Sequence, residues 1–465
     1  PLKYAEKRFI IMASSQQPTF RWNQRSVVHE PKLRMLQRRP EDQLTRILSY
    51  VTCEVDDFKV GGPTSDGTFV YVGLRVTDGK EVAVKRMLTD GEWKHLAENE
   101  IKIFGMLKME KSPHVVRYLD YEPGKPFVYI ILELCEFSLD EYLKKARDLP
   151  GQIPFDPQKI IKEILIGLDV LHNKQGFKDD DRILHRDLKP DNVLVDVDWS
   201  IRLADFGLSK RIGEGSSSNY TSGKGNAEWQ AAESIPSNGE NQQVLYKRRS
   251  DIQVAGMLSF YVLTKGGHPF GDISYERPNN IVDGTPVSID ALTDPVEKDF
   301  VSWLIQKDIN DRPFADEALK HPFLKSIEDQ FNFLVVMGNE REVKWEDQRC
   351  DVVRELNSHS NDYPDGWMEK IPSEIVQKFS QHRRPYNNNI TSLLRFLRNV
   401  KEHLNEQSHF QPLIGEPATY FLRRERFSTL PMRVHKILRD QAKDVARRGS
   451  NEEAWINRSP LKSFV

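Results

Sequence analysis

The sequence predicts an α+β chain in which a small antiparallel sheet lobe precedes a larger helical lobe, and a compact all-α unit follows. Three observations carry this reading. Apolar and polar residues alternate in "GTFVYVGLRV" and "KEVAVKRML", which meet at Asp78-Gly79, a two-residue hairpin signal. Apolar residues then recur at helical spacing in "PQKIIKEILIGLDVLH", at Ile160, Ile161, Ile164, Leu165, Leu168 and Leu171. A second helical pattern, "ITSLLRFLRNVKEHLNE", lies beyond a polar stretch with a Pro-Asp-Gly turn.

Taken in order, residues 1–54 mix Gln, Arg, Ser and Pro and read as a leader or linker, with Leu44, Ile47 and Leu48 hinting at one short helix. The sheet follows from residue 55. "EWKHLAENEIKIFGML" sets Trp93, Leu96, Ala97, Ile101, Phe104 and Leu107 at helical spacing, and "FVYIILELC" reads as a buried strand. Helical patterns around 251–264 and 291–306 continue the larger lobe to residue 326. Residues 327–440 form the second unit and 441–465 a tail. No repeat of 20–50 residues occurs, which excludes a solenoid.

At 465 residues the chain is long enough for two to four folded units, at roughly 100–200 residues each. Lys and Arg number 67 against 69 acidic residues, so bulk charge gives no argument for nucleic-acid binding and any RNA contact must be local. The longest apolar run, Phe127 to Leu132, is far short of the ~20 residues a membrane helix needs. Three scattered cysteines, Cys53, Cys135 and Cys350, fit a reducing, cytoplasmic compartment and exclude a cysteine-built zinc site. The first residue is Pro1, with no secretion signal behind it, so the expectation is a cytoplasmic chain, either whole or the cytosolic portion of an endoplasmic reticulum membrane protein.

"HRDLKPDNVLV" at 185–195 followed by "DFG" at 205–207 resembles the catalytic and metal-binding loops of eukaryotic protein kinases. That resemblance implies a bilobal kinase fold over 55–326 and a role for each matching residue. Asp187 orients the attacking hydroxyl, Lys189 neutralises the transferring phosphate, and Asn192 and Asp205 hold magnesium. Lys85 in "EVAVK" and Glu100 in "ENEIKIF" pair over the phosphates of ATP or ADP, and Gly62, Gly67, Glu133 and Cys135 complete the nucleotide site. Two departures stand out. Thr64 replaces the middle glycine of the phosphate loop, and Ala231-Ala232-Glu233 stands where Ala-Pro-Glu is expected. Ser216, Ser217, Ser218, Thr221 and Ser222 lie between, in what is either a flexible polar loop or a phosphorylated activation segment.

In the second unit Ile390, Leu393, Leu394, Leu397, Val400 and Leu404 form one stripe, with Arg398, Asn399 and His403 expected on the other side. Periodicity alone makes these three a solvated face. A kinase lobe followed by "RPYNNNITSLLRFLRNVKEHLNE" and "IGEPATYFLRRERFSTLPMRVHKIL" resembles the kinase-extension nuclease of the unfolded-protein-response kinase-endoribonucleases and ribonuclease L. The resemblance covers residues 55 to 440 and implies metal-independent RNA cleavage by the ribose 2′-OH. His403 is then the general acid, Tyr386 the base, and Arg398 and Asn399 the phosphate clamp. Arg383 and Arg384 either add backbone contacts or are surface charge, and Ser392 stands where ribonuclease L carries an Asp.

The expected function is a nucleotide-regulated Ser/Thr kinase and endoribonuclease in unfolded-protein-type stress signalling. Its partners are an RNA substrate and a second copy of itself, with no membrane contact from this chain. A nucleotide-gated pseudokinase with ribonuclease activity, supported by Thr64 and Ala232, and an ordinary kinase with a C-terminal interaction module are the alternatives.

Overall fold

The computed structural model describes residues 22–60, 68–90, 94–107, 112–148, 151, 153–173, 182–211, 220–222, 226–236, 243–359, 366–380 and 384–448. Gly62, Thr64 and Gly67, the serines at 216–218 and Arg383 lie outside them. The chain forms two compact units that divide between Val287 and Ser288.

In the first unit six antiparallel strands line up as β1-β2-β3-β4-β6-β5: β1 Thr45–Ile47, β2 Tyr50–Thr52, β3 Phe69–Arg75, β4 Glu81–Leu88, β5 Tyr118–Glu122 and β6 Phe127–Glu133. The predicted β3–β4 hairpin is present. Gly79 takes φ +72 at its turn, a conformation open to glycine at little cost, and Asp78 binds the Arg75 guanidinium beside it. Strand β4 lies between β3 and β6, with Lys85 opposite Val70 on one side and Ile130 on the other.

The leader assignment needs correction. Residues 45–52 are not a helix but the outer β1–β2 hairpin, turned at Leu48 with φ +51, and three-residue strands are too short to show a period. Before it, α1 (Glu30–Gln37) buries Leu33 and Leu36 completely. The segment preceding α1 is held by two carboxylates. Glu81 accepts from Trp22 Nε1 (2.9 Å), Arg25 N (3.0 Å) and Ser26 N (2.7 Å), and Glu136 accepts from Val28 N (2.7 Å). His29 Nε2 donates to the Cys135 carbonyl at 3.0 Å.

The helical part of this unit comprises α2 (Lys94–Leu107), α3 (Leu139–Asp148), α4 (Pro157–Asn173), α5 (Arg248–Leu263) and α6 (Arg277–Asp283). Helix α4 turns the predicted stripe inward, and α5 is buried almost throughout, as its run of Ile, Val, Met, Leu and Phe requires. Between α4 and α5 lie the short strands β8 (Ile183–Leu184), β9 (Val193–Val195) and β10 (Ile201–Leu203), and β7 (Phe137–Ser138) pairs with β9. These strands carry the loops of the first site at their ends.

The second compact unit runs from Ser288. It contains α7 (Pro295–Leu304), α8 (Ala315–Ala318), α9 (Ile327–Asn339), α10 (Arg341–Trp345), α11 (Asp351–Ser358), α12 (Ser373–Phe379), α13 (Ile390–His403), α14 (Gln411–Ile414), α15 (Pro417–Phe421) and α16 (Leu430–Arg448). An ion pair ties its first helix to its last: Arg439 of α16 donates to Asp299 of α7 at 2.7 and 2.9 Å, and His321 adds a third bond at 3.0 Å. The helical pattern also runs on to residue 448, where the sequence suggested a tail from 441, and Lys443 Nζ donates to the Asp311 carbonyl at 2.7 Å.

Helix α13 is central, with its predicted apolar stripe buried against Phe331, Leu334 and Met337 of α9. The close crossing of α9 and α13 depends on Gly338. A Cβ there would stand 2.3 Å from the Leu394 carbonyl oxygen and 3.0 Å from the Arg398 Cβ. Gly338→Ala should therefore destabilise the unit by about 1–3 kcal/mol, the usual cost of overpacking, measured by denaturant unfolding. An unchanged midpoint would mean the helices separate freely.

Candidate active sites

The first site gathers on β4, α2 and the β8–β10 loops. Lys85 Nζ donates to Glu100 Oε1 (2.8 Å) and Oε2 (2.6 Å) and to Asp205 Oδ1 (3.1 Å). Both Lys85 and Glu100 are buried, and burial alone would neutralise the ammonium, yet Asp205 and Glu100 beside it raise its pKa. Burial pushes Glu100 up, and Tyr118 OH, donating to Oε1 at 3.0 Å, helps keep the carboxylate charged. The triad is a fixed cation between two anions at the place where sequence reasoning put phosphate contacts.

The catalytic loop is held from below by a carboxylate. Asp251 at the start of α5 is fully buried and accepts from the His185 N–H (3.0 Å), the Arg186 N–H (3.0 Å), His172 Nε2 (2.8 Å) and Tyr246 OH (2.6 Å). These bonds organise a backbone that bends through φ +68 at Arg186, an uncommon and strained value for a residue with a Cβ. Asp205 takes φ +65 in the same manner.

Asp187 Oδ2 accepts from Asn192 Nδ2 at 2.8 Å and lies 3.4 Å from Lys189 Nζ. Burial, only partly offset by Lys189, pushes the Asp187 carboxyl up to about 6. A carboxylate of that basicity, poised close to neutral pH, suits the orientation of a hydroxyl and acceptance of its proton. Loss of hydration raises the half-buried Asp205, but Lys85 holds it below the usual range. Asn192 commits its amide nitrogen to Asp187, which leaves its oxygen as a donor to a cation. Asn192 and Asp205 thus offer two hard oxygen donors, a set that fits magnesium bound jointly with a nucleotide's phosphates. Among the described residues no group of three His, Cys, Asp or Glu side chains forms a self-sufficient metal site.

Glu133 and Cys135 end the β6 segment differently from what their side chains suggest. The Glu133 carboxylate accepts from Arg117 N at 2.7 Å and pairs with Arg202 at 3.1 Å, while burial pushes the Cys135 thiol up and its carbonyl is taken by His29. Only backbone atoms of these two remain for a nucleotide. Sequence reading missed Asn99, whose amide nitrogen on α2 donates to the carbonyls of Gly207 (2.9 Å) and Ser209 (2.8 Å) and so locks the segment after Asp205. The Ala232 departure is also explained: its N–H, which proline would lack, donates to the Gln253 side chain at 2.8 Å inside the unit.

The second site lies on α13 and the segment before it. Tyr386 OH donates to the Phe379 carbonyl (2.8 Å) and accepts from Asn399 Nδ2 (2.6 Å), and Asn399 Oδ1 accepts from Arg398 Nη1 (2.6 Å). Asn399 is buried, not outward-facing as its helical position suggested, because this chain of bonds draws it in. Arg398 Nε donates to Asn339 at 2.7 Å, which orients the guanidinium at the rim. His403, the last residue of α13, is about two-fifths exposed, 3.3 Å from a Glu406 carboxylate oxygen. Tyr386 does not match the chemistry of a base: burial raises its pKa more than Asn399, Arg395 and Arg398 lower it, and its proton is engaged by a backbone carbonyl. Arg384 is committed to the carbonyls of Lys344 and Trp345 and stacks on the exposed Trp345 ring. Ser392 Oγ donates to the Glu346 carboxylate at 2.8 Å, from a loop 46 residues earlier.

A lysine–glutamate–aspartate triad beside an HRD-type loop on a two-part sheet and helix unit defines a protein kinase-type site. Comparison with known families agrees: the protein kinase domain matches residues 64–324, and the ribonuclease 2-5A family matches residues 330–448. The chain therefore belongs to the protein kinases, in the family that joins a kinase domain to a ribonuclease 2-5A domain. Similar proteins include the serine/threonine-protein kinase/endoribonuclease IRE2 of Homo sapiens, 30% identical over 431 residues, 87% of this chain and 43% of that protein. The serine/threonine-protein kinase/endoribonuclease ire-1 of Caenorhabditis elegans is 31% identical over 392 residues, 81% of this chain and 38% of its own length. The 2-5A-dependent ribonuclease of Mus musculus is 28% identical over 398 residues, 83% and 47% of the two chains. This chain thus spans less than half the length of the curated relatives it matches.

Proposed function

We propose that the chain is a nucleotide-regulated Ser/Thr protein kinase and a metal-independent endoribonuclease, cutting RNA as a pair of copies in unfolded-protein-type stress signalling. The observation that carries this reading is that one chain holds both an assembled Lys85–Glu100–Asp205 triad and the Tyr386–Asn399–Arg398 chain with His403 on the same helix. Relatives are named kinase/endoribonucleases, and one from Schizosaccharomyces pombe is named a sensor for unfolded proteins in the ER.

In the kinase site Lys85 would hold nucleotide phosphates, Asp205 and Asn192 the magnesium, and Asp187 the hydroxyl whose proton it accepts. Bound magnesium would neutralise phosphate charge. In the nuclease site Arg398 would bind the scissile phosphate, His403 would protonate the departing 5′ oxygen, and the proton of the attacking 2′-OH would pass to solvent water. Tyr386 serves here as a positioning residue for Asn399 rather than as the base, since its phenol is buried and bonded at both lone pair and proton. No described helix is long and apolar enough to cross a membrane.

The test is cleavage of a structured RNA in EDTA across a range of protein concentrations. The rate is expected to rise faster than linearly, to shift to lower concentration with ADP and magnesium in a parallel metal-containing series, and to leave 2′,3′-cyclic phosphate ends. ADP with magnesium should also stabilise the fold by ~2.7 kcal/mol at a hundredfold excess over its dissociation constant. Strictly linear cleavage through the monomer–dimer range would exclude obligatory pairing.

A further inference from the structure

Glu346 occupies a position where its backbone alone would not place it. It follows the last turn of α10 in the left-handed conformation, φ +51 and ψ +43, where Gly or Asn is the usual residue and a larger side chain costs about 1–2 kcal/mol. Its carboxylate offsets that strain. Oε1 accepts from Arg395 Nη1 (2.7 Å) and from Ser392 Oγ (2.8 Å), and Oε2 lies within 3.5 Å of the amide nitrogens of Asn387 and Asn389. Asn389 caps α13, accepting from the Ser392 N–H at 2.8 Å. One carboxylate therefore grips the first turns of α13 and the segment leading into it.

Arg395 transmits the grip. Its guanidinium, 93% buried at the side chain, sits 5.5 Å from the centroid of the Tyr386 ring and also donates to the Arg384 carbonyl at 3.3 Å. Tyr386 in turn holds Asn399, which holds Arg398. Without Glu346, Arg395 would be a buried cation with no carboxylate partner among the described residues, free to turn away from the ring it now fixes. None of these contacts reaches the place where Arg398 and His403 meet solvent, so the role is one of placement.

We infer that Glu346 is a positioning residue of the nuclease site, acting through Arg395 and Tyr386 to set Asn399 and Arg398. The inference rests on the ribonuclease reading of that site. It deepens that reading by adding a carboxylate that comes from outside α13. Ser392 provides the means to test it, because its Oγ is 2.8 Å from the same carboxylate oxygen and it precedes Arg395 by one helical turn. A carboxylate placed at 392 reaches the same guanidinium.

Glu346→Gln keeps shape and removes charge. RNA cleavage is expected to lose about 10²-fold in kcat with KM within about threefold, as for a displaced rather than a deleted clamp. Adding Ser392→Asp to that variant should restore kcat to within about threefold of the parent chain, whereas Ser392→Asp alone sets two carboxylates on one arginine and should lower it. A parent-like rate for Glu346→Gln, or a double variant no faster than the single one, overturns the inference, whether or not the single variant melts earlier. A second readout does not depend on cleavage. The Tyr386 phenol, followed by NMR of the labelled ring, should titrate at higher pH in Glu346→Gln, because Arg395, released from the carboxylate, turns away from the ring whose pKa its charge lowers. An unmoved titration overturns the positioning role, and a parent chain that cuts no RNA overturns the ribonuclease reading instead.

Discussion

His403→Ala should lower RNA cleavage by about 10²–10⁴-fold, the usual contribution of a positioned general acid. The side chain ends α13 where the helix opens to solvent, and it makes no bond that the unit depends on beyond the 3.3 Å approach to Glu406. The apolar stripe, the Tyr386–Asn399–Arg398 chain and the kinase site all remain, so melting temperature and nucleotide binding should stay unchanged. Arg398→Ala provides the control. It removes the charge proposed to bind phosphate, and it should reduce the salt dependence of RNA binding as well as the rate. If His403→Ala cuts RNA at the parent rate in EDTA, the residue is an ordinary solvated helix end.

Asp187→Asn should abolish phosphate transfer to residues 209–224, again by about 10²–10⁴-fold, while making the protein more stable. The second half follows from the proton balance. The folded-state pKa of Asp187 is about 6, above the ordinary carboxyl value of 3.8, so the folded chain holds its proton more tightly than the unfolded chain. The stabilisation from that proton is fully present below about pH 4 and is lost as pH rises through about 6. At pH 7 the charged form costs up to about 3 kcal/mol that a neutral amide does not. Calorimetry at pH 7.5 and pH 4 checks this: the variant should melt higher at the first and equally at the second. Equal melting at pH 7.5 would show that Lys189 and Asn192 already compensate the charge. The same titration predicts that autophosphorylation of the parent chain falls off below about pH 6.

The kinase site was legible because its chemistry is carried by short contiguous runs. Asp187, Lys189 and Asn192 lie within six residues, and Lys85, Glu100 and Asp205 each sit in a recognisable string. The residues that hold them were not. Asn99 and Tyr118 look like ordinary helix and strand residues, and their partners, Gly207 and Glu100, are brought near only by folding. The apolar stripe of α13 was equally readable, but periodicity sorts side chains by face and cannot register that Asn399 is drawn inward by a tyrosine thirteen residues earlier. Glu346 carried no signal at all, since a glutamate after "REVKW" reads as a solvated helix end. The β1–β2 hairpin was missed for a simpler reason: three-residue strands contain too few alternations to distinguish from a loop.

The anchoring of residues 22–29 gives the first unit an unusual mechanical address. Tension or torque applied to the polypeptide ahead of Trp22 enters the sheet at the start of β4. It is borne by Glu81, by Glu136 and by the carbonyl of Cys135, at the very stretch whose backbone is left for a nucleotide. Linkage is reciprocal: if a group bound at this stretch strengthens the His29 bond, that bond favours the group by the same free energy. Cutting the chain back to residue 55 would do more than shorten it, because Leu33, Leu36, Ile47 and Val51 would be missing from the interior and two carboxylates left without donors.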